Sequence, residues 1–172
     1  GGLVELEGAE HAHLTAVLAA LERAGCTLWT GPGRITLENR GPLRGVPPVR
    51  TAPYPGFPTD AQALLMAALA GGTGTTLFEE NIFDSRYHHV DALRRMGADI
   101  QVSGRAAVVT GVGALHGAAV QAADLRGGAA LVVAGLAAQG ITTVSGLDHI
   151  RRGYEDLDRN FAALGADIRT VP

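Results

Sequence analysis

Lysine is absent from this chain of 172 residues, so all 14 of its basic side chains are arginines. Every cation is therefore a planar guanidinium, a fork suited to carboxylate or phosphate. Cysteine is almost absent. Cys26 stands alone, which excludes an internal disulfide and fits a reducing compartment. No apolar run approaches the ~18 residues of a membrane span, and no basic–apolar–small pattern stands at the start. The expectations are no membrane segment, no export signal and a cytoplasmic location. A net charge of −3 gives no reason to expect nucleic acid. What is present is ordinary for a globular domain with a real core: 47% hydrophobic residues and 18% charged.

Self-similarity organises the rest. "LERAGCTL" (21–28), "LRRMGADI" (93–100) and "FAALGADI" (161–168) share one pattern, an amphipathic helix end, a glycine, then a strand. Gly25, Gly97 and Gly165 stand where a helix C-cap favours a left-handed residue. "PTDAQALLMAALAGGTGTTL" (58–77) resembles "DLRGGAALVVAGLAAQGITTV" (124–144). Setting Gly74 on Gly140 gives an offset of 66 residues, which superposes Asp60 on Arg126 and Arg86 on Arg152. The spacing predicts helices over 9–24, 60–71, 87–96, 126–138 and 153–164. It predicts strands over 27–30, 34–38, 74–79, 99–102, 106–110, 118–122, 141–145 and 166–170. The helices at 60–71 and 126–138 are apolar all round and are expected to be buried. The first helix carries a one-sided stripe of Leu14, Val17, Leu18 and Leu21. The expectation is a single α/β domain of three units, 1–52, 53–122 and 123–172, with sheets packed around buried helices.

Thr59-Asp60-Ala61-Gln62 fits a capping box, with Thr59 as N-cap and Gln62 reaching back. That arrangement frees Asp60 to point outward, and the prolines of "TAPYPGFP" before it hold the chain extended. The plain alternative is an acid that favours a helix N-terminus, worth ~0.3–1 kcal/mol. Arg126 falls in a first helical turn, and Arg86 and Arg151-Arg152 fall just before predicted helices. A cation there opposes the helix dipole, so three at repeat-equivalent places suggest an anion held by N–H groups and guanidinium together. The competing reading pairs these arginines with Asp84, Asp124, Asp148 or Glu155 nearby. His11, His13 and the pair His88-His89 lack an acidic or cysteine partner to complete a metal set, and read as solvated or capping residues. Cys26 reads as a small buried residue and Trp29 as strand packing. "GTG" at 72–74 reads as a turn, since no Gly-Lys-Ser/Thr follows.

The strings "RTAPYPGFPTDAQ", "FDSRYHHV", "LRRMGADI", "AADLRGGAALVVAGLAAQGITTV" and "HIRRGYEDLDRNFAALGADI" resemble the UDP-N-acetylglucosamine 1-carboxyvinyltransferases, a branch of the enolpyruvyl transferases. The resemblance runs from about residue 4 to the C-terminus. It implies an inside-out α/β barrel with pseudo-threefold repeats, one of the family's two barrels, with the active site between the two. It implies enolpyruvyl transfer from phosphoenolpyruvate to the 3-hydroxyl of UDP-N-acetylglucosamine, the first committed step of peptidoglycan synthesis, with no metal or organic cofactor. The family's partner barrel, with its loop cysteine, lysine and further arginines, is not in this sequence, so the chain alone is expected to be inactive.

By motif position, the resemblance makes Asp60 the residue that contacts the sugar hydroxyl and acts as its base. It places Ile82 where backbone meets the nucleotide sugar. It sets Arg86, Arg126 and Arg152 at the phosphoenolpyruvate and phosphate end, with Arg152 counted with Asp60 as catalytic. Asp124 falls on an acid of the same cleft. Two departures stand out: Phe83-Asp84-Ser85-Arg86 where the family has Phe-Glu-Asn-Arg, and His149-Ile150-Arg151-Arg152 where it has His-Ile-Asp-Arg. The alternatives are an enolpyruvyl transferase acting on another nucleotide, or a non-catalytic ligand-binding half-domain.

Overall fold

The computed structural model describes residues 2–171. Two helices without a polar face organise it. Helix α2 (Thr59–Ala70) buries Ala63, Leu65, Met66, Ala67, Leu69 and Ala70, and α4 (Leu125–Ala137) buries Ala129, Ala130, Leu131, Val132 and Ala134. Apolar on every side, they can satisfy their surfaces only in an interior, and they pack on each other there. Gly128 lets α4 approach its neighbours. A Cβ at that position would stand 2.7 Å from Ile150 Cγ1 and 2.9 Å from Ala122 Cβ.

Among the described residues there are three sheets. The first contains β1 (Gly2–Glu7), β2 (Thr27–Gly31) and β3 (Arg34–Asn39) in the antiparallel order β1-β3-β2. The second contains β4 (Val49–Arg50), β5 (Thr75–Glu79), β6 (Asp99–Ser103) and β7 (Ala106–Thr110) in the order β4-β5-β7-β6, with only β4 and β5 parallel. The third is the parallel pair β8 (Ala119–Gln121) and β9 (Thr143–Ser145). The remaining helices are α1 (Thr15–Arg23), α3 (Val90–Arg95), α5 (Leu147–Arg151) and α6 (Leu157–Ala163). Phe78, Met66, Leu93, Met96 and Leu131 form the fully buried centre.

The repeat is visible at atomic detail. Helices α1, α3 and α6 end on Gly25, Gly97 and Gly165, each with φ between 90° and 108°. In each, the N–H of the residue after the glycine bonds the carbonyl five positions earlier: Cys26 to Leu21, Ala98 to Leu93, Ala166 to Phe161. This pairing closes a helix end with a left-handed residue, which glycine adopts without a Cβ penalty.

Several elements depart from expectation. The predicted helix 9–24 opens as a 3-10 turn, His11–Leu14, before α1 begins. The predicted helix 153–164 begins only at Leu157, because Asp156 takes a left-handed conformation (φ 43°) and α6 starts after it. The segment 166–170 is not a strand. Its counterpart β6 gains its ladder from the hairpin partner β7, and no described residue pairs with 166–170. Strands β1 and β4 were not expected. The first is exposed along its whole length and the second is two residues long, so neither has a strong burial pattern.

Candidate active site

The proline-rich run folds back on itself. Ala52 N–H bonds Phe57 C=O at 3.0 Å, Gly56 N–H bonds Pro53 C=O at 2.8 Å, the Tyr54–Pro55 peptide is cis, and Phe57 is buried. Pro58, extended at φ −71° and ψ 134°, is the N-cap of α2. The capping box is therefore a correction. Thr59 is the first helical residue and its hydroxyl bonds Glu80, while Gln62 is buried and its amide has no partner. Packing decided this, because Gln62 sits on a helix with no outer face.

Asp60 does point outward, and two arginines meet it. Arg86 Nη2 donates to Asp60 Oδ1 and Arg126 Nη2 donates to Asp60 Oδ2, both at 2.8 Å. The arginine side chains are three-quarters buried (22% and 26% exposed), the carboxylate more open (56%). Arg86 lies over the Phe83 ring, 4.8 Å from its centroid. Arg126 lies over Tyr154 at 5.5 Å and donates to its hydroxyl at 3.0 Å. The hydrogen bond from Arg126, with the charges of both guanidiniums, holds the Asp60 carboxyl below its ordinary value. The same bond pushes Arg126 up. Asp60 is thus ionised at neutral pH.

The local pairings proposed for the arginines do not occur. Asp84 pairs with Arg105 instead, and Asp124 caps α4, accepting from Gly127 N–H at 2.7 Å. Asp124 lies at the base of the cluster as a helix cap. Ile82 is partly exposed, and its N–H bonds Glu80 Oε1 at 2.9 Å. Arg126 is in the first turn of α4 as expected, but Arg86 is four residues before α3. Arg152 corrects the helix-start reading outright. It is the C-cap of α5, where a cation is favoured, and it is exposed with no ion pair or hydrogen bond among the described residues.

The histidines divide. His11, His13 and His88 are exposed, whereas His89 is buried; of the reading as solvated or capping, it keeps the second in position, as the N-cap residue of α3, without a side-chain capping bond. Burial first, then the Arg86 and His88 charges, lowers its pKa to about 4 against an opposing pull from Asp124, so it is neutral at pH 7. Among the described residues no three metal-binding side chains gather. Cys26 is buried and burial raises its thiol pKa, consistent with a packing role. Trp29 pairs across from Thr36 and is half exposed. Sequence reasoning missed Glu80, Phe83 and Tyr154. Only Glu80 left a signal, the inward period-two positions Thr76, Phe78 and Glu80.

Similarity to known proteins follows this geometry. A UDP-N-acetylglucosamine 1-carboxyvinyltransferase of Sphingopyxis alaskensis is 51% identical over 170 residues, 99% of this chain and 40% of that protein. One from Zymomonas mobilis is 48% identical over 171 residues, again 40% of its length. The chain thus spans about two-fifths of the curated relatives it matches. The enolpyruvyl transferase NikO from Streptomyces tendae superposes with a TM-score of 0.87 at 29% identity, over 99% of this chain and 41% of that one. EPSP synthase from Acinetobacter baumannii shares the fold at a TM-score of 0.62 and 21% identity, over 90% of this chain and 39% of that one. With the EPSP synthase (3-phosphoshikimate 1-carboxyvinyltransferase) family profile matching residues 1–161, the chain belongs to that family of transferases, and its mixed α/β fold is the enolpyruvyl transferase fold.

Proposed function

We propose that this chain is one barrel of a two-barrel enzyme that transfers enolpyruvyl from phosphoenolpyruvate to the 3-hydroxyl of UDP-N-acetylglucosamine, a step of peptidoglycan synthesis in the cytoplasm. The observation that carries the reading is Asp60, an ionised carboxylate held between Arg86 and Arg126 where the two buried helices begin. The names of the relatives at 48–51% identity point to the same acceptor. The division into units 1–52, 53–122 and 123–172, with a partner barrel elsewhere, belongs to this proposal.

The chemistry suits these groups. The acceptor hydroxyl loses its proton to Asp60 as its oxygen bonds to C2 of phosphoenolpyruvate, while C3 gains a proton from the partner barrel. C3 then loses a proton, the C2–O bond to phosphate breaks, and the enol ether double bond re-forms. A carboxylate within ~3 Å of the hydroxyl can act as base. The donor carries a carboxylate and a phosphate, and Arg86 and Arg126 offer guanidiniums to meet them and steady the leaving phosphate. Taking up that anion draws the arginines off Asp60 and restores the basicity they suppress. Arg152, exposed and without a protein partner among the described residues, is free to join them. Asp124 orders the start of α4 beneath Arg126, and Ile82 lies on the loop facing the acceptor.

The test is phosphate release by the full-length protein from phosphoenolpyruvate and UDP-N-acetylglucosamine. Turnover that stops without the sugar nucleotide supports the reading, and phosphate release with a different nucleotide alone redirects it. The 172-residue chain by itself is expected to be silent. Turnover by that chain overturns the two-barrel requirement.

A further inference from the structure

Glu80 has 1% of its surface exposed, and no step above uses it. It follows β5, where the alternation that buries Thr76 and Phe78 turns Glu80 inward. Its neighbour Glu79 turns outward to pair with Arg50. A buried carboxylate is costly unless its oxygens are satisfied. Among the described residues Glu80 forms no ion pair, and it is met by four neutral donors. Thr51 hydroxyl (2.9 Å), Ile82 N–H (2.9 Å) and Phe83 N–H (3.1 Å) bond Oε1, and Thr59 hydroxyl (2.9 Å) bonds Oε2.

These donors come from the end of the β4 segment, the first turn of α2 and the loop after β5. Thr59 immediately precedes Asp60. Phe83 supplies the ring on which the Arg86 guanidinium lies. One carboxylate therefore fastens the backbone on both sides of the Asp60–Arg86 contact. Four hydrogen bonds converging on one buried side chain suit a residue that holds three segments in register.

We propose that Glu80 is a positioning residue of the transfer reaction: without touching substrate, it sets the separation and aim of Asp60 and Arg86 through Thr59 and Phe83. This rests on the function proposed above. The groups that face Asp60 are Arg86 from the loop before α3 and Arg126 from α4, with Tyr154 behind Arg126. Loosening Glu80 weakens the Arg86 contact first, because Arg126 is anchored separately.

The experiment compares Thr59→Val, Glu80→Gln and Glu80→Ala in the full-length protein, with Glu79→Gln as control. Turnover and the Asp60 titration, followed by carboxyl NMR, are both measured. Glu80→Ala is expected to lower kcat about 10²-fold, the usual cost of misplacing a catalytic group by about an ångström. KM for the sugar nucleotide should stay nearly constant. Thr59→Val should lower kcat about tenfold, and the double variant should be no worse than Glu80→Ala, because both act through one network. The Asp60 titration should move upward in both, and Glu79→Gln should match wild type. If Glu80→Ala does not fold, Thr59→Val and Glu80→Gln carry the test. An Asp60 titration unchanged in every folded variant, or lost stability with wild-type kcat, overturns the proposal. A wild-type protein that releases no phosphate overturns the proposed function instead, and the Asp60 titration still decides the role of Glu80.

Discussion

The starts of α2 and α4 lie in similar stretches of sequence, 66 residues apart, and carry opposite charges at matching places. Helix α2 begins on Pro58 with no side-chain cap and carries an acid at its second position. Helix α4 begins on the Asp124 cap and carries Arg126 at its second position. An acid is favoured at a helix start and a cation is not, so α4 needs its cap more and gains from a counter-charge. That counter-charge is its own repeat partner, Asp60. Packing of α2 on α4 sets the two positions side by side, and their opposite charges make them a pair. Their partners differ as well. Arg86 reaches the acid, whereas its repeat equivalent Arg152 would repel Arg126, and Tyr154 takes the contact with Arg126 instead.

The comparison is tested most severely at Asp60. Asp60→Asn in the full-length protein keeps shape and removes the proposed base, with an expected fall in turnover of roughly 10²–10⁴-fold. A near-normal rate would reduce Asp60 to a helix-start acid. Next comes acid pH. His89, beneath the α4 start, has a folded pKa of about 4 against an ordinary 6.5. The unfolded chain binds the proton first, so stability falls as pH drops from 6.5 to about 4, by at most about 1.4 kcal/mol per unit. His89→Gln should flatten that slope in denaturant titrations. Asp60 acts lower still. Its folded pKa is depressed, so its contribution is present above the ordinary carboxylate range and is lost as pH falls through the folded value.

Smaller effects sharpen the contrast. Phosphate at tenfold its dissociation constant should stabilise the chain by about 1.4 kcal/mol at fixed ionic strength. Arg126→Gln and Arg86→Gln should lose that gain, and Arg152→Ala should reduce it. Because Arg152 is a C-cap, its removal should slightly lower ligand-free stability, the reverse of what a helix-start position would produce. Equal phosphate gains in all four proteins would remove the convergent anion site. Asp124→Ala should cost about 1 kcal/mol in thermal unfolding, the worth of an N-cap. Pro58→Ala at the uncapped α2 start should cost less. Least of all, a double-mutant cycle of Asp60→Asn and Arg126→Gln should return about 0.2–1 kcal/mol, as for partly exposed pairs.

Much of this was legible in the linear chain. Helices apolar on every side can only be central, and a glycine after an amphipathic stripe can only end it cheaply, so the buried α2 and α4 and the three glycine caps follow from residue type and spacing. The 66-residue offset likewise put Asp60 and Arg126 at equivalent positions. Tertiary structure decided which charges meet. Sequence nearness suggested Asp84 and Asp124 as the arginines' partners, whereas helix packing brought Asp60 to both Arg86 and Arg126 from 26 and 66 residues away. It also turned Gln62 into the core, moved Arg152 to a helix end and gave Glu80 its four donors. Local pattern encodes which backbone conformation and which burial a residue prefers. The partner of a charged or polar group depends on which segments the apolar core draws together, and that is a property of the whole packed chain.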